Sequence, residues 1–531
     1  MKQLFCVLLL SSATGSYAQL PVAPSRLKLS GTRSWVKAEW EDNKKDNSGF
    51  NVYWSASNQK PQNPSMVLPA GTHNCYIQSV KAETTYYVWV ESFNKQGKSK
   101  AIQDKVFTTK AWAIDVNEAN KLDISSSAAV PAGMELFWHD EFNDSLLNRN
   151  RWFTDYYSSL DYLNGVQHNA LLNDTLPTAA YALNGHTITL FVNDSLPKKD
   201  FNNGKKISSI QTYDWSTNEN LLDNSRGGYF EVRVKRDYTG HPEGLNTAYW
   251  FDSPGPDLKY YLQQGTEVKG TKGIRPKGQL FEIDVFENLN AQFVMHGHVD
   301  SNGRFIHNLA THIATGFQHR GEWVTHGMLW TPASIKHYIN GKLIKSYDNK
   351  HQIYSPNHFM NVFLGSYGKG GSVSMEVDYI RGYQWSLKNG NELPNPGFEY
   401  SNTSILPWEG TGIVSTESKK DGRNGLLLQP GQCIEQYVYL NNTSSYQLRF
   451  WHKGNSSLKV TVNNVVPVSG VLEKITDATC NGSDLFKENE LDFKTGTDIK
   501  GNMKTVHILF ENTGNMPVSL DEITVRKDSN K

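Results

Sequence analysis

The run Gln279-Leu280-Phe281-Glu282-Ile283-Asp284-Val285-Phe286-Glu287 sets three carboxylates inside an apolar stretch. Ile, Val and Phe at this density predict a buried strand. Charges inside such a strand are expensive unless something uses them, so one face of its sheet must stay reachable. Side chains alternate along a strand, so Glu282 and Asp284 share a face. Glu287 has the opposite parity. It joins them only if one residue bulges out between Asp284 and Glu287, a device that re-aims side chains beside active sites. A solvated edge strand that happens to carry acids is the competing reading.

With the bulge, four effective steps at roughly 3.3 Å put the two glutamate backbones on the order of 13 Å apart. Leaning together, their carboxyls approach to about 5–5.5 Å, the spacing at which one carboxylate attacks an anomeric carbon and the other serves as acid and base. Asp284 lies between them and keeps their protonation states apart, because close like charges cannot all ionise.

The rest of the chain is strand-like and shows no long helical periodicity. Its 531 residues leave room for two to four domains. Lys plus Arg and Asp plus Glu balance at 53 each, so no basic field exists to hold nucleic acid or an anionic membrane. Lys2, the apolar Leu4 to Leu10 and Ser16-Tyr17-Ala18 read as an export signal over residues 1–18, too short to span a bilayer. The expected product is exported: periplasmic, cell-surface or extracellular, with no membrane span. Of the later cysteines, Cys433 and Cys480 are candidates to pair and Cys75 is left alone. No CxxC or His/Cys cluster suggests zinc.

Residues 19–110 hold short alternating runs, Trp35 to Trp40, Phe50 to Trp54 and Tyr86 to Val90, separated by turns such as Asp46-Asn47-Ser48-Gly49. With Pro21 to Pro24 and Asn94-Lys95-Gln96-Gly97 in place, this segment resembles a fibronectin type III domain, a sandwich that usually acts as a spacer. Residues 111–131, with Ser125-Ser126-Ser127 and Pro131, read as a linker. Residues 132–387 carry many strands at short spacing, which argues a two-sheet sandwich. Residues 393–528 open on Leu393-Pro394-Asn395-Pro396-Gly397-Phe398-Glu399 and close on Leu520-Asp521-Glu522-Ile523-Thr524-Val525. Both ends resemble jelly-roll carbohydrate-binding modules. In this segment Trp408, Tyr437, Tyr439 and Trp451 are candidate sugar platforms or core.

Within 132–387, five landmarks resemble glycoside hydrolase family 16 in that family's order. They are Trp138 to Asn143, Gly228 to Lys235, Glu282 to Glu287, Trp330-Thr331-Pro332 followed by Tyr338-Ile339-Asn340-Gly341, and Val377 to Arg381. The resemblance implies an all-β chain: a concanavalin-like jelly-roll sandwich with a cleft across one sheet, flanked by the two smaller sandwiches. It implies a secreted, endo-acting, retaining hydrolase of a β-linked polysaccharide, working as a monomer. Glu282 would be the nucleophile, Glu287 the acid/base, and Asp284 their partner. A transglycosylase with the same residues, or a non-catalytic glycan-binding protein, are the alternatives.

By the same resemblance, Glu231 and Arg233 on a cleft strand, Asn246, Trp250, His298 and Trp323 would contact substrate. No cofactor is required, though some relatives hold a structural calcium, here through Asp378. One departure matters. Members acting on β-glucans often carry Trp-Pro-Ala-Phe-Trp before the catalytic strand, where this chain has Asn246-Thr247-Ala248-Tyr249-Trp250. An insertion at 252–276 follows. From Pro256 to Leu280 it holds Lys259, Lys269, Lys272, Arg275 and Lys277 against Asp257 and Glu267, five minus two, an excess of three positive charges. Both features tilt the expected substrate from β-1,3- or β-1,3-1,4-glucan towards an algal galactan of the agar, porphyran or carrageenan type, although a solvated loop explains the charges as well.

Overall fold

The computed structural model describes residues 19–31, 35–43, 46–78, 80–81, 83–108, 129–144, 147–148, 151–153, 181–194, 206–214, 219–239, 246–253, 267–268, 271–272, 280–290, 292–298, 305–348, 353–466, 470–498 and 503–528. The expected export signal, most of the linker and most of the basic insertion lie outside them. The described residues are strands and turns, with one short 3-10 turn at Thr416–Ser418, as the alternating runs require. No helix among them is long and apolar enough to cross a membrane.

The chain divides into two compact units, and the described part of the first runs from residue 19 to 108. Its strands Ser25–Gly31, Trp35–Glu41 and Asn74–Gln78 form one antiparallel sheet, and Met66–Pro69, Gly49–Ser55, Thr85–Asn94 and Ile102–Phe107 belong to another. Val36, Trp40, Phe50, Ile77 and Val88 fill the space between them. One charge is taken into this unit. Glu91, 3% exposed, accepts hydrogen bonds from Tyr53 (2.6 Å) and Asn51 (3.2 Å) and pairs with Lys60 and Lys98.

The second unit contains both the acidic run and the C-terminal segment. Around the acidic run two antiparallel sheets pack face to face. The front sheet has six strands: β1 (Lys206–Gln211), β2 (Asn246–Asp252), β3 (Leu280–Glu287), β4 (Gln292–His298), β5 (Phe305–Ile313) and β6 (Asn361–Gly368), in the spatial order β1-β6-β2-β3-β4-β5. The back sheet runs Tyr181–Leu183, Ile188–Val192, Ser372–Trp385, Gly228–Thr239, Trp323–Trp330, Ile335–Ile339 and Lys342–Tyr347, with Met134–Asp140 added on Ser372–Trp385. Phe230 from the back sheet meets Phe251 from the front at 5.1 Å between ring centroids, and Phe286 meets His326 at 4.4 Å. Even-numbered residues of Gly228–Thr239 therefore point into the core and odd-numbered ones point out.

The C-terminal segment makes two five-stranded sheets around its own core, in which Trp408, Leu448, Phe450, Ile508 and Phe510 are buried. Tyr439 is buried as well, so neither Trp408 nor Tyr439 is an exposed platform. The expected Cys433–Cys480 pairing does not form, and both thiols are free. Their strands are separated by Lys504–Asn512 and Leu458–Val465. Three strand spacings, about 14 Å, exceed the reach of a disulfide.

This lobe is fastened to the two-sheet sandwich through polar contacts, the tyrosine ones buried. Trp330 Nε1 donates to Pro356 O (2.9 Å) and Tyr439 Oη (3.2 Å), and Tyr354 Oη donates to Thr505 Oγ1 (2.8 Å). Met503 N donates to Asn357 O (2.6 Å), and Arg226 pairs with Glu392 (2.6 Å).

Candidate active site

The bulge required by the parity argument is present. On the β4 side, Asp284 pairs with Val294 and Glu287 with Gln292, so two residues of β3, Val285 and Phe286, oppose Phe293 alone. On the β2 side, Trp250 pairs with Asp284 and Tyr249 with Phe286, again with one extra residue in β3. Alternation resumes after the kink, and Glu282, Asp284 and Glu287 all project from the front face. Asp284 is 1% exposed, while Glu282 and Glu287 are half-buried.

Cross-strand neighbours on that face complete the site, because directly opposed residues share a side of the sheet. Asp252 of β2 and His296 of β4 stand opposite Glu282. Asn361 of β6 stands opposite Asp252 and donates to it at 2.9 Å. His296 Nε2 lies 3.1 Å from Asp284 Oδ2. Tyr367 of β6 stands opposite Asn246 of β2, and the two converge on Glu287. Tyr367 Oη donates to Glu287 Oε1 at 2.7 Å and Asn246 Nδ2 donates to the same oxygen at 3.0 Å. Asn246 also donates to Tyr367 Oη, and its Oδ1 accepts from Asn288 N at 2.6 Å. One oxygen of Glu287 is thus anchored twice, and among the described residues Oε2 carries no hydrogen bond.

Several expected contacts fall elsewhere. Glu231 and Arg233 do not lie on a cleft strand: Gly228–Thr239 belongs to the back sheet, and both side chains point away from the front face. Glu231 is 0% exposed and accepts from Tyr229 Oη (3.1 Å) and Tyr379 Oη (3.3 Å). Gly327, opposite Glu231, leaves room for this: a Cβ there would sit 2.3 Å from Tyr229 Oη. Arg233 pairs with Asp378 and lies over the Trp323 ring at 4.8 Å. Trp323 is therefore an outer residue of the back sheet and not a floor of the front one. The surroundings of Asp378 do not fit a calcium ion, since its carboxylate faces a guanidinium. No three His, Cys, Asp or Glu side chains among the described residues converge on a metal position.

Trp250 does lie on the front face, but Phe363 stacks on it at 3.9 Å with 6° between the planes, leaving it 5% exposed. Asn246 is a holder of Glu287 before it is a contact for substrate. His298 ends β4, and its side chain lies outside the described residues.

Tyr367, Phe363, Asp252 and His296 were not among the expected site residues. The alternation Phe363-Gly365-Tyr367 and the His296-Gly297-His298 pair were visible signals, but which face each occupies depends on register.

Residues 200–386 match the model of the family described as Glycosyl hydrolases family 16. All six front-sheet strands fall within them. A search of curated proteins finds no match. Among solved structures, the chain is similar to an endo-β-galactosidase from Clostridium perfringens that releases GlcNAcα1-4Gal (17% identity, 60% of this chain, 82% of that one, TM-score 0.36). It is similar to the catalytic domain of an endo-1,3-β-glucanase (laminarinase) from Thermotoga petrophila (15% identity, 48% and 99% covered, TM-score 0.33). It is also similar to an endo-β-1,3-glucanase from Pyrococcus furiosus (17% identity, 47% and 94% covered, TM-score 0.34). Residues 200–386 are a glycoside hydrolase family 16 domain.

Proposed function

We propose that this protein is an endo-acting, retaining hydrolase of a β-linked polysaccharide. The observation that carries the reading is the kink in β3, which turns Glu282, Asp284 and Glu287 onto one open face and leaves one oxygen of Glu287 unanchored.

The steps follow from that arrangement. The Glu282 carboxylate attacks the anomeric carbon, while Glu287 gives its proton to the departing glycosidic oxygen through Oε2. The sugar is then esterified to Glu282 with its configuration inverted. Glu287, now a carboxylate, takes a proton from water, and the resulting attack on the same carbon frees Glu282 and restores the configuration. Tyr367 and Asn246 hold Glu287 in place through both steps, and Asp284, backed by His296, sits beside Glu282. No step calls for a cofactor.

Two features favour a galactan, sulfated or otherwise anionic, over a β-glucan. The run before β3 lacks the Trp-Pro of β-glucan-active members, and its one tryptophan is covered by Phe363. The adjoining residues 256–280 carry an excess of three positive charges. Export through residues 1–18 suits a polymer too large to enter a cell.

The test is release of reducing ends from a panel of agar, porphyran, carrageenan, laminarin and mixed-linkage β-glucan, with proton NMR of the first product. Hydrolysis of one galactan with retained configuration, weakened by salt, is expected. Inverted configuration, or no turnover on any polymer, overturns the mechanism. Turnover on laminarin alone overturns the substrate.

A further inference from the structure

Behind the kink, on the core side, sits a buried cation that the mechanism above does not use. Arg236 projects inward from the back-sheet strand Gly228–Thr239 and is 3% exposed. Removing a guanidinium from water is expensive, and such groups are usually matched by a carboxylate. No ion pair with Arg236 occurs among the described residues. Burial pulls its pKa down to about 10, which leaves it charged at neutral pH.

What Arg236 touches is the end of β3. Its Nη1 donates to Asn288 O at 3.2 Å and to Thr247 Oγ1 at 3.1 Å. Its guanidinium carbon lies 4.7 Å from the centroid of Phe286. His326 meets the same ring at 4.4 Å, and burial followed by the charge of Arg236 holds its imidazole well below its usual pKa and so neutral.

Phe286 and Asn288 are the two neighbours of Glu287. Asn288 is in the left-handed region, at φ +63°, which Asn enters more readily than most residues but which its hydrogen bonds here fix. Its N–H is held from the front by Asn246 and its carbonyl from behind by Arg236.

We propose that Arg236 is a positioning residue for Glu287, clamping the kinked end of β3 from across the core so that the carboxyl meets the glycosidic oxygen. A bulge leaves part of its strand without ladder hydrogen bonds, so the aim of Glu287 has to come from contacts of this kind. The inference rests on Glu287 being the acid/base.

The experiment compares wild type, Arg236→Met, Arg236→Lys and Glu287→Gln on two substrates. One is the polysaccharide the wild type cleaves. The other is a dinitrophenyl glycoside of the same sugar, whose leaving group departs without a proton. Folding is checked by thermal melting. Arg236→Met is expected to lose on the order of 10–100-fold in kcat/KM on the polysaccharide and only about threefold in kcat/KM on the dinitrophenyl glycoside, because kcat/KM reports the step in which the leaving group departs; kcat on the dinitrophenyl glycoside falls, since Glu287 still has to activate water in the second step. Arg236→Lys, which keeps the charge, recovers part of the loss. If Arg236→Met does not fold, the ratio between the two substrates is read from Arg236→Lys.

Equal losses in kcat/KM on both substrates, or a folded variant with wild-type kcat/KM on the polysaccharide, overturn the positioning role. If Glu287→Gln itself keeps wild-type turnover, the fault lies instead in the assignment of Glu287.

Discussion

Two glutamates in this sandwich receive hydrogen bonds from tyrosine hydroxyls, and they have opposite fates. Glu231, on the outer side of the back sheet, is closed over by Tyr229 and Tyr379 and has no access to solvent. Glu287, on the front sheet, is held by Tyr367 and Asn246 through one oxygen, and among the described residues nothing binds the other. The local chemistry is nearly the same; the difference is a kink. Gly228–Thr239 pairs with Trp323–Trp330 without interruption along Gly228 to Lys235. β3 is interrupted on both of its edges at Val285–Phe286. A tyrosine-bound acid on an unbroken strand becomes part of the packing. The same acid at a bulge is turned towards whatever enters the cleft.

The largest test of this contrast is removal of the front-sheet acids. Glu282→Ala or Glu287→Ala should lower hydrolysis by at least about a thousandfold and leave the melting temperature nearly unchanged. Near-wild-type turnover in either variant breaks the comparison at its active end. Glu231→Ala should do the reverse. Removing the shared acceptor of Tyr229 and Tyr379 and opening a cavity should destabilise the fold by about 2–4 kcal/mol in denaturant titration, while turnover per folded molecule stays at wild type. Smaller still, Tyr367→Phe removes one of the two anchors on Glu287. A loss of about tenfold in kcat with little change in KM is expected from steady-state kinetics.

A third glutamate sharpens the point through pH. Burial alone would raise the Glu91 carboxyl, but hydrogen bonds from Lys60, Tyr53, Asn51 and Lys98 outweigh it and bring the pKa from 4.5 to about 2. A depressed acid stabilises the fold fully above its unfolded pKa and loses that contribution as pH falls towards the folded one. The first unit should therefore weaken between pH 4.5 and about 2, a window that Glu91→Gln should flatten in circular-dichroism melts.

The kink was legible because parity is local: three acids within six residues fix which can share a face. Which sheet a strand joins was not legible. Gly228 to Lys235 alternates in the same way whether it lines a cleft or backs it, since either sheet offers one apolar inner face and one outer face. The sheet that holds Glu231, Arg233 and Trp323 therefore does not follow from their local pattern. Trp250 is expected to contact substrate, but Phe363 lies 113 positions away in sequence, and no local pattern announces that it will cover the ring. His296 and His298 share a parity on β4, so alternation alone does not say which of them faces Glu282; the register with β3, shifted between Leu280 and Glu282, sets His296 there. The thiols at Cys433 and Cys480 share a segment, but not neighbouring strands. Arg236 gave no signal, because an isolated Arg in a strand looks like a solvated one.

The join between Trp330 and Tyr439, and between Tyr354 and Thr505, makes the C-terminal lobe no dangling appendage. Trimming the chain at residue 387 to obtain a minimal enzyme would strip the Tyr354 phenol of its Thr505 partner and uncover the side of Trp330 that Tyr439 closes. Lobe and sandwich thus keep a fixed bearing to each other, as a jig bolted to the same bench does to its blade.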